Sequence, residues 1–134
     1  MVSSTIEHVA ITVTDMDKSI EFYTNKLGFS VINGPNPHPD NVRNVAFLMM
    51  DQVRLEIFSY KEKKESIAVQ GIEGVGIHHI AFTVQNIEEY YQKLRKKGVV
   101  FTVKPRESWS GRKLAFIEDP DGILLQPIEN PWLK

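Results

Sequence analysis

Ile6-Glu7-His8-Val9-Ala10-Ile11-Thr12-Val13 is answered 71 positions later by Ile77-His78-His79-Ile80-Ala81-Phe82-Thr83-Val84. Six of the eight pairs are identical or exchange one aliphatic residue for another. Self-similarity at a fixed offset marks a repeated supersecondary unit, so the chain reads as two copies of one design. Both stretches are rich in β-branched residues and short enough for strands, 6–13 and 77–84. Each then passes an Asx residue into a helical pattern; Asp15 or Asp17 can cap the first helix and Asn86 the second.

Met16, Ile20, Tyr23 and Leu27 give the first helix an apolar stripe. Ile87, Tyr90, Tyr91 and Leu94 follow the i, i+3, i+4, i+7 spacing of a second. Gly28 and Gly98 suit the left-handed residue just past a helix end, and Lys96-Lys97 suit the negative end of the helix dipole. These glycines lie 70 apart rather than 71, so the second copy is one residue shorter there. Further strands are predicted at 29–32, 45–50 and 53–58, and at 99–103, 113–118 and 123–128. Asp51-Gln52 and Asp119-Pro120-Asp121-Gly122 form the turns, the latter with Pro setting φ and Gly accepting φ > 0. Segment 33–41 holds three prolines and is predicted to be a loop, either a surface excursion or a cavity lid.

The expected fold is α+β: two tandem βαβββ modules related by a pseudo-twofold, forming an open sheet-lined cavity. Module 1 spans about 6–58, a connector 59–76 and module 2 about 77–130 of a single domain, 1–134. The charge run at 61–65 reads as solvated connector. Each half is too small to bury a good core alone.

Composition narrows the chemistry. Sixteen Lys+Arg face 17 Asp+Glu, for a net charge of −1 in 134 residues. That balance argues against nucleic acid as partner. There is no Cys, which excludes disulfides, a thiolate nucleophile and Cys-ligated metals. No signal-peptide pattern and no membrane-length apolar run are present, so a cytoplasmic protein is expected.

The repeat selects candidate site residues. His8 maps onto His79, and past the one-residue deletion Glu56 maps onto Gln126. Glu56 and Gln126 are polar residues inside apolar strands, where an unpaired carboxylate costs several kcal/mol. Taken singly, a His at a strand start is a cap or a surface group, and a strand Glu faces solvent. The joint register raises all four above that reading. Two imidazoles, a carboxylate and an amide oxygen suit one divalent ion, Zn, Ni, Co, Fe or Mn. His78 should point away from His79 by strand alternation and reads as structural or exposed. His38, in the proline loop, has no repeat partner; it either lines a pocket or, as such residues commonly are, is a surface group. Arg43 and Arg112 precede the third strand of each copy and could meet a carboxylate or phosphate; otherwise they are solvated. Trp109 is a loop aromatic that either covers the cavity or packs at a dimer seam.

Phe22-Tyr23, Leu27-Gly28-Phe29, Leu55-Glu56, Gly76-Ile77-His78-His79-Ile80-Ala81-Phe82 and Phe116-Ile117-Glu118-Asp119-Pro120-Asp121-Gly122 join the first stretch in a wider pattern. Over nearly the whole chain it resembles the vicinal oxygen chelate superfamily of glyoxalases, bleomycin-resistance proteins and dioxygenases. The resemblance implies a homodimer, a small-molecule substrate and one divalent metal at His8, Glu56, His79 and Gln126, with Glu56 as the catalytic base. It implies a glyoxalase I-like lyase or isomerase. The commoner residue at the fourth position is Glu; Gln126 departs from it. CoA-thioester epimerases of the family carry an amide at the second position and Glu at the fourth, the reverse of this chain. Extradiol dioxygenases need a carboxylate at the fourth position, which argues against that subclass. The alternatives are a non-catalytic small-molecule or antibiotic-binding module, a metal-dependent epimerase, a fosfomycin-type transferase, and a relic site in which Gln126 bonds His8.

Overall fold

The computed structural model describes residues 2–65 and 74–129. The chain forms two compact units, Met1–Ser66 and Ile67–Lys134. In the first, β1 (His8–Thr12) leads through α1 (Met16–Glu21) and one π-helical turn (Phe22–Lys26) to β2 (Ser30–Pro37), β3 (Arg43–Met50) and β4 (Val53–Tyr60). In the second, β5 (Ile80–Val84) leads through α2 (Ile87–Lys96) to β6 (Phe101–Glu107), β7 (Lys113–Glu118) and β8 (Leu124–Glu129). The sheets have equivalent orders, β1-β4-β3-β2 and β5-β8-β7-β6. In each, the first strand runs parallel to the last and the other pairs are antiparallel. This is the tandem βαβββ architecture, with two open mixed sheets.

Strand register bears out the alignment of the repeat. Ala10 lies beside Glu56, and Ala81 beside Gln126. The helix caps also repeat: Asp15 accepts from Lys18 N–H and Asn86 from Glu89 N–H, both at 3.1 Å. The extra residue of the first copy therefore falls between cap and helix end, where the π turn lies. There Leu27 N–H reaches back five residues to Phe22 O at 3.2 Å. A π turn absorbs one inserted residue without disturbing what flanks it. Gly28 and Gly98 then end both helices at positive φ, 90° and 82°.

One face of β3 and β4 carries Ala46, Leu48, Leu55 and Ile57, all buried, and α1 packs on this side with Met16, Phe22 and Tyr23. Each fully buried large aliphatic or aromatic side chain contributes about 1.5–3 kcal/mol. Ser19, not Ile20, is the innermost residue of α1, fully buried while Ile20 is half-buried. A small side chain there lets the helix lie close to the sheet. In the second unit Ile87 and Leu94 bring α2 down on β7 and β8, where Ala115, Ile117 and Leu125 are buried.

Residues 33–37 depart from the loop expectation, while 38–41 form the turn that follows. β2 continues through Asn33–Asn36 to Pro37, with a cis Gly34-Pro35 bond. Pairing with β3 slips between Val31 and Asn33 and again between Asn33 and Asn36. Because β2 is an edge strand, a proline nitrogen without a proton costs no ladder bond. Gly34 is obligatory there: its φ is +86° and a Cβ would sit 2.6 Å from Val45 O. Other bounds shift modestly. β1 and β5 are shorter than predicted, leaving His79 just before its strand, and β6 begins and ends later. β4 extends to Tyr60, so residues 59–60 of the expected connector are strand, while its residues 66–73 lie outside the described residues, as does Asn130.

Candidate metal centre

His8 opens β1 and Glu56 sits on β4, on the face opposite Leu55 and Ile57. His8 Nε2 lies 3.7 Å from Glu56 Oε1. That is too long for a hydrogen bond. It is close to the about 3.4 Å separating two donors of a tetrahedral ion held at about 2.1 Å. The Glu56 side chain is 18% exposed, so water competes little for it.

Glu7 sets the aim of His8. Its carboxylate accepts a hydrogen bond from His8 Nδ1–H, which leaves Nε2 to face Glu56. Arg54 Nη1 donates to the other Glu7 oxygen at 2.7 Å. The hydrogen bond from His8 holds the Glu7 carboxyl below its ordinary range, with Arg54 adding to it. A carboxylate behind a ligating imidazole fixes its tautomer and raises its basicity. The sequence reading did not single out Glu7; its position beside the repeated His was the available signal.

The second unit repeats this with different chemistry. At the place of Glu7 stands His78, whose Nδ1 lies 2.7 Å from His79 Nδ1. His78 is exposed, as expected, but it does not point away from His79. Both precede β5, so strand alternation does not govern them. His79 stacks edge-on against Phe116, centroids 5.3 Å apart, and shares a hydrogen bond with Gln126. Gln126 is buried, 9% exposed. Burial lowers the His79 pKa from its ordinary 6.5; His78 adds to the effect and the Gln126 bond opposes it. A neutral imidazole is the form a metal requires. Each unit thus offers one imidazole and one oxygen donor, and among the described residues no three His, Asp or Glu side chains within a unit gather into a metal site.

The remaining candidates fall elsewhere. Arg43 opens β3, its Nε 2.7 Å from Asp40 Oδ2 and its guanidinium 4.1 Å above the Phe58 ring. Arg112 precedes β7 and donates from Nε to Glu129 O at 3.4 Å. Trp109 is 99% exposed at a turn tip. His38 is not a solitary surface group; it lies against Asp40, Arg43 and Phe58.

Two βαβββ units of matching strand order define a paired-module fold. The chain belongs to the Glyoxalase/Bleomycin resistance protein/Dioxygenase superfamily, whose family pattern matches residues 5–126. It is 32% identical to the glyoxalase family protein from Enterococcus faecalis, with a TM-score of 0.81 over 93% of this chain and 97% of that one. It is 30% identical to the uncharacterized protein YwkD of Bacillus subtilis, over 96% of this chain and 99% of the relative. It is 29% identical both to lactoylglutathione lyase of Salmonella typhimurium, over 91% and 90% of the two chains, and to human mitochondrial methylmalonyl-CoA epimerase, over 90% and 71%.

Proposed function

We propose that this chain binds one divalent cation through His8, Glu56, His79 and Gln126 and acts as a lyase or isomerase on a small substrate with neighbouring oxygens. In this reading the two modules work as one domain of a cytoplasmic homodimer. The observation that carries it is the spacing of His8 Nε2 and Glu56 Oε1, 3.7 Å, with Nδ1 of His8 already engaged by Glu7. A neutral His79 and the amide oxygen of Gln126 complete a donor set of nitrogen and hard oxygen. A cation held by that set supplies Lewis acidity to adjacent oxygens.

Glu56 is the one carboxylate among the four. It takes a proton from the substrate carbon beside a carbonyl and returns it to the neighbouring carbon. Gln126 has no proton to exchange and orients only. A single base moves a proton along one face of the substrate. Epimerisation through a base and an acid on opposite faces needs a second carboxyl that Gln126 does not provide. The chemistry therefore favours the reaction named for the lactoylglutathione lyase relative over that of the epimerase.

The test is turnover of a hemithioacetal and of a CoA thioester after metal analysis. Hemithioacetal turnover that falls about 10²–10⁴-fold in Glu56→Gln supports the proposal. Epimerase activity in the unaltered protein, or ligand binding with no turnover and no metal, overturns it.

A further inference from the structure

The turn joining β2 to β3 and the turn joining β6 to β7 both close by a pair of backbone bonds, the first turn being one residue longer. His38 N–H donates to Arg43 O and Asn41 N–H to His38 O, both at 2.9 Å. Ser108 N–H donates to Arg112 O at 2.8 Å and Gly111 N–H to Ser108 O at 2.9 Å. Both pass through a left-handed residue, Asn41 at φ 63° and Gly111 at φ 80°. In the first turn His38 Nδ1 also accepts from Asp40 N–H and Asp40 Oδ1 from Val42 N–H, both at 3.1 Å, and the side chains do not repeat. Ser108 and Ser110 bond each other at 2.8 Å. At the same places His38 and Asp40 build a cluster around Arg43. Asp40 Oδ2 lies 2.7 Å from Arg43 Nε and 3.1 Å from His38 Nδ1. Arg43 Nη1 lies 3.5 Å from the Tyr60 hydroxyl and Nη2 3.4 Å from His38 Nε2. The turn's hydrogen bonds use the His38 and Asp40 side chains but not the Arg43 guanidinium.

The cluster shares the sheet face of Glu56. Cα pairing sets Arg43 beside Tyr60, Val45 beside Phe58 and Phe47 beside Glu56, in successive rows of one face. Such rows are about 6.6–6.8 Å apart along a strand. Stacked over Phe58, the guanidinium stands about one row from Glu56. Asp40 pairs with the guanidinium by charge on its Nε side, Oδ2 lying 2.7 Å from Nε. The two terminal nitrogens carry two N–H groups each, and their contacts at 3.4 and 3.5 Å are at the long limit of hydrogen bonding. N–H groups therefore remain for a ligand. The neighbouring cations are Lys61, bonded to Asn41 Oδ1 at 2.8 Å, and Lys64, 5.5 Å from the Tyr60 ring centre. A held guanidinium fork matches the oxygens of a carboxylate or phosphate.

We propose that Arg43, positioned by Asp40 and assisted by Tyr60, binds the anionic end of the substrate, a carboxylate or phosphate about one row from the reacting carbons. The identity of the bound molecule as substrate rests on the function proposed above; the anion site itself stands on its own geometry. The test uses metal-free, full-length protein titrated with acetate and separately with inorganic phosphate. The Arg43 Nε–H and His38 ring signals are followed by NMR. Saturable shifts are expected with at least one anion, and the one that saturates names the terminus. Arg43→Met is expected to abolish them and Glu56→Gln to leave them intact. Should Arg43→Met not fold, Arg43→Lys, which keeps the charge and loses the fork, is expected to weaken saturation. Absence of saturable shifts with both anions, or shifts that persist unchanged in the Arg43 variants, overturns the proposal. Saturation without metal-dependent turnover would overturn the function above and leave the anion site standing.

Discussion

His8 and His79 are the same residue at the same repeat position, yet their neighbours treat them oppositely. Glu7 draws His8 into a carboxylate–imidazole pair, while burial and then His78 lower the His79 pKa and so favour its neutral form. If His8 ligates a cation, Glu7→Gln is expected to weaken metal binding about 10–100-fold, read by competition with a chelating dye, because the imidazole loses its orienting carboxylate. Asp40 yields a pH test. Burial raises its pKa, but the Val42 N–H, His38 and Arg43 outweigh that and hold it below its ordinary 3.8. Near that pH the unfolded chain binds more protons than the folded one, so stability is present above 3.8 and lost as pH falls through the lower folded value. Urea midpoints measured across that window should fall in the parent protein and fall less in Asp40→Asn. At this scale the sequence disclosed the ligand candidates, because identity and register alone single out His8 and His79. Glu7 stayed hidden, because its role depends on where one side chain turns.

At the scale of elements, the caps, glycine stops and turns act over a few residues and were legible. Asp15→Ala and Asn86→Ala are each expected to cost about 1 kcal/mol in chemical denaturation, since each removes the oxygen that accepts a first-turn N–H. Gly98→Ala forces a Cβ into the left-handed region and should cost about 1–2 kcal/mol, with open space around it. Gly34→Ala should cost more, because its Cβ also meets Val45 O at 2.6 Å and backbone must move. An equal loss at the two glycines would count against the close approach of β2 to β3. The prolines of β2 misled because they forbid a central strand but not an edge, and edge status is a property of the sheet. The π turn was legible only as a missing residue in the second copy. An offset of 70 in place of 71 says that something is inserted, not what shape it takes.

Across the whole molecule, one cation per chain is expected rather than two, because each unit supplies only half of the proposed ligand set. Mass spectrometry of the reconstituted protein checks the ratio. Calorimetry should show about 2.7 kcal/mol of added stability at a metal concentration 100 times the Kd. Two ions per chain, or no stabilisation, would separate the pairs into unrelated groups. Among the described residues no helix is long and apolar enough to cross a membrane. By itself the sequence determined the repeat, the order of elements, the helix ends and the residues worth testing as ligands. These follow from local preferences and from comparing one half with the other. Only the tertiary structure decided that β1 runs parallel to β4, that Arg54 reaches across 47 positions to Glu7, and that Arg43 rests on Phe58 beneath Asp40. Such contacts join residues far apart in the chain. Their geometry is set by strand register and side-chain packing, which no short stretch of sequence contains.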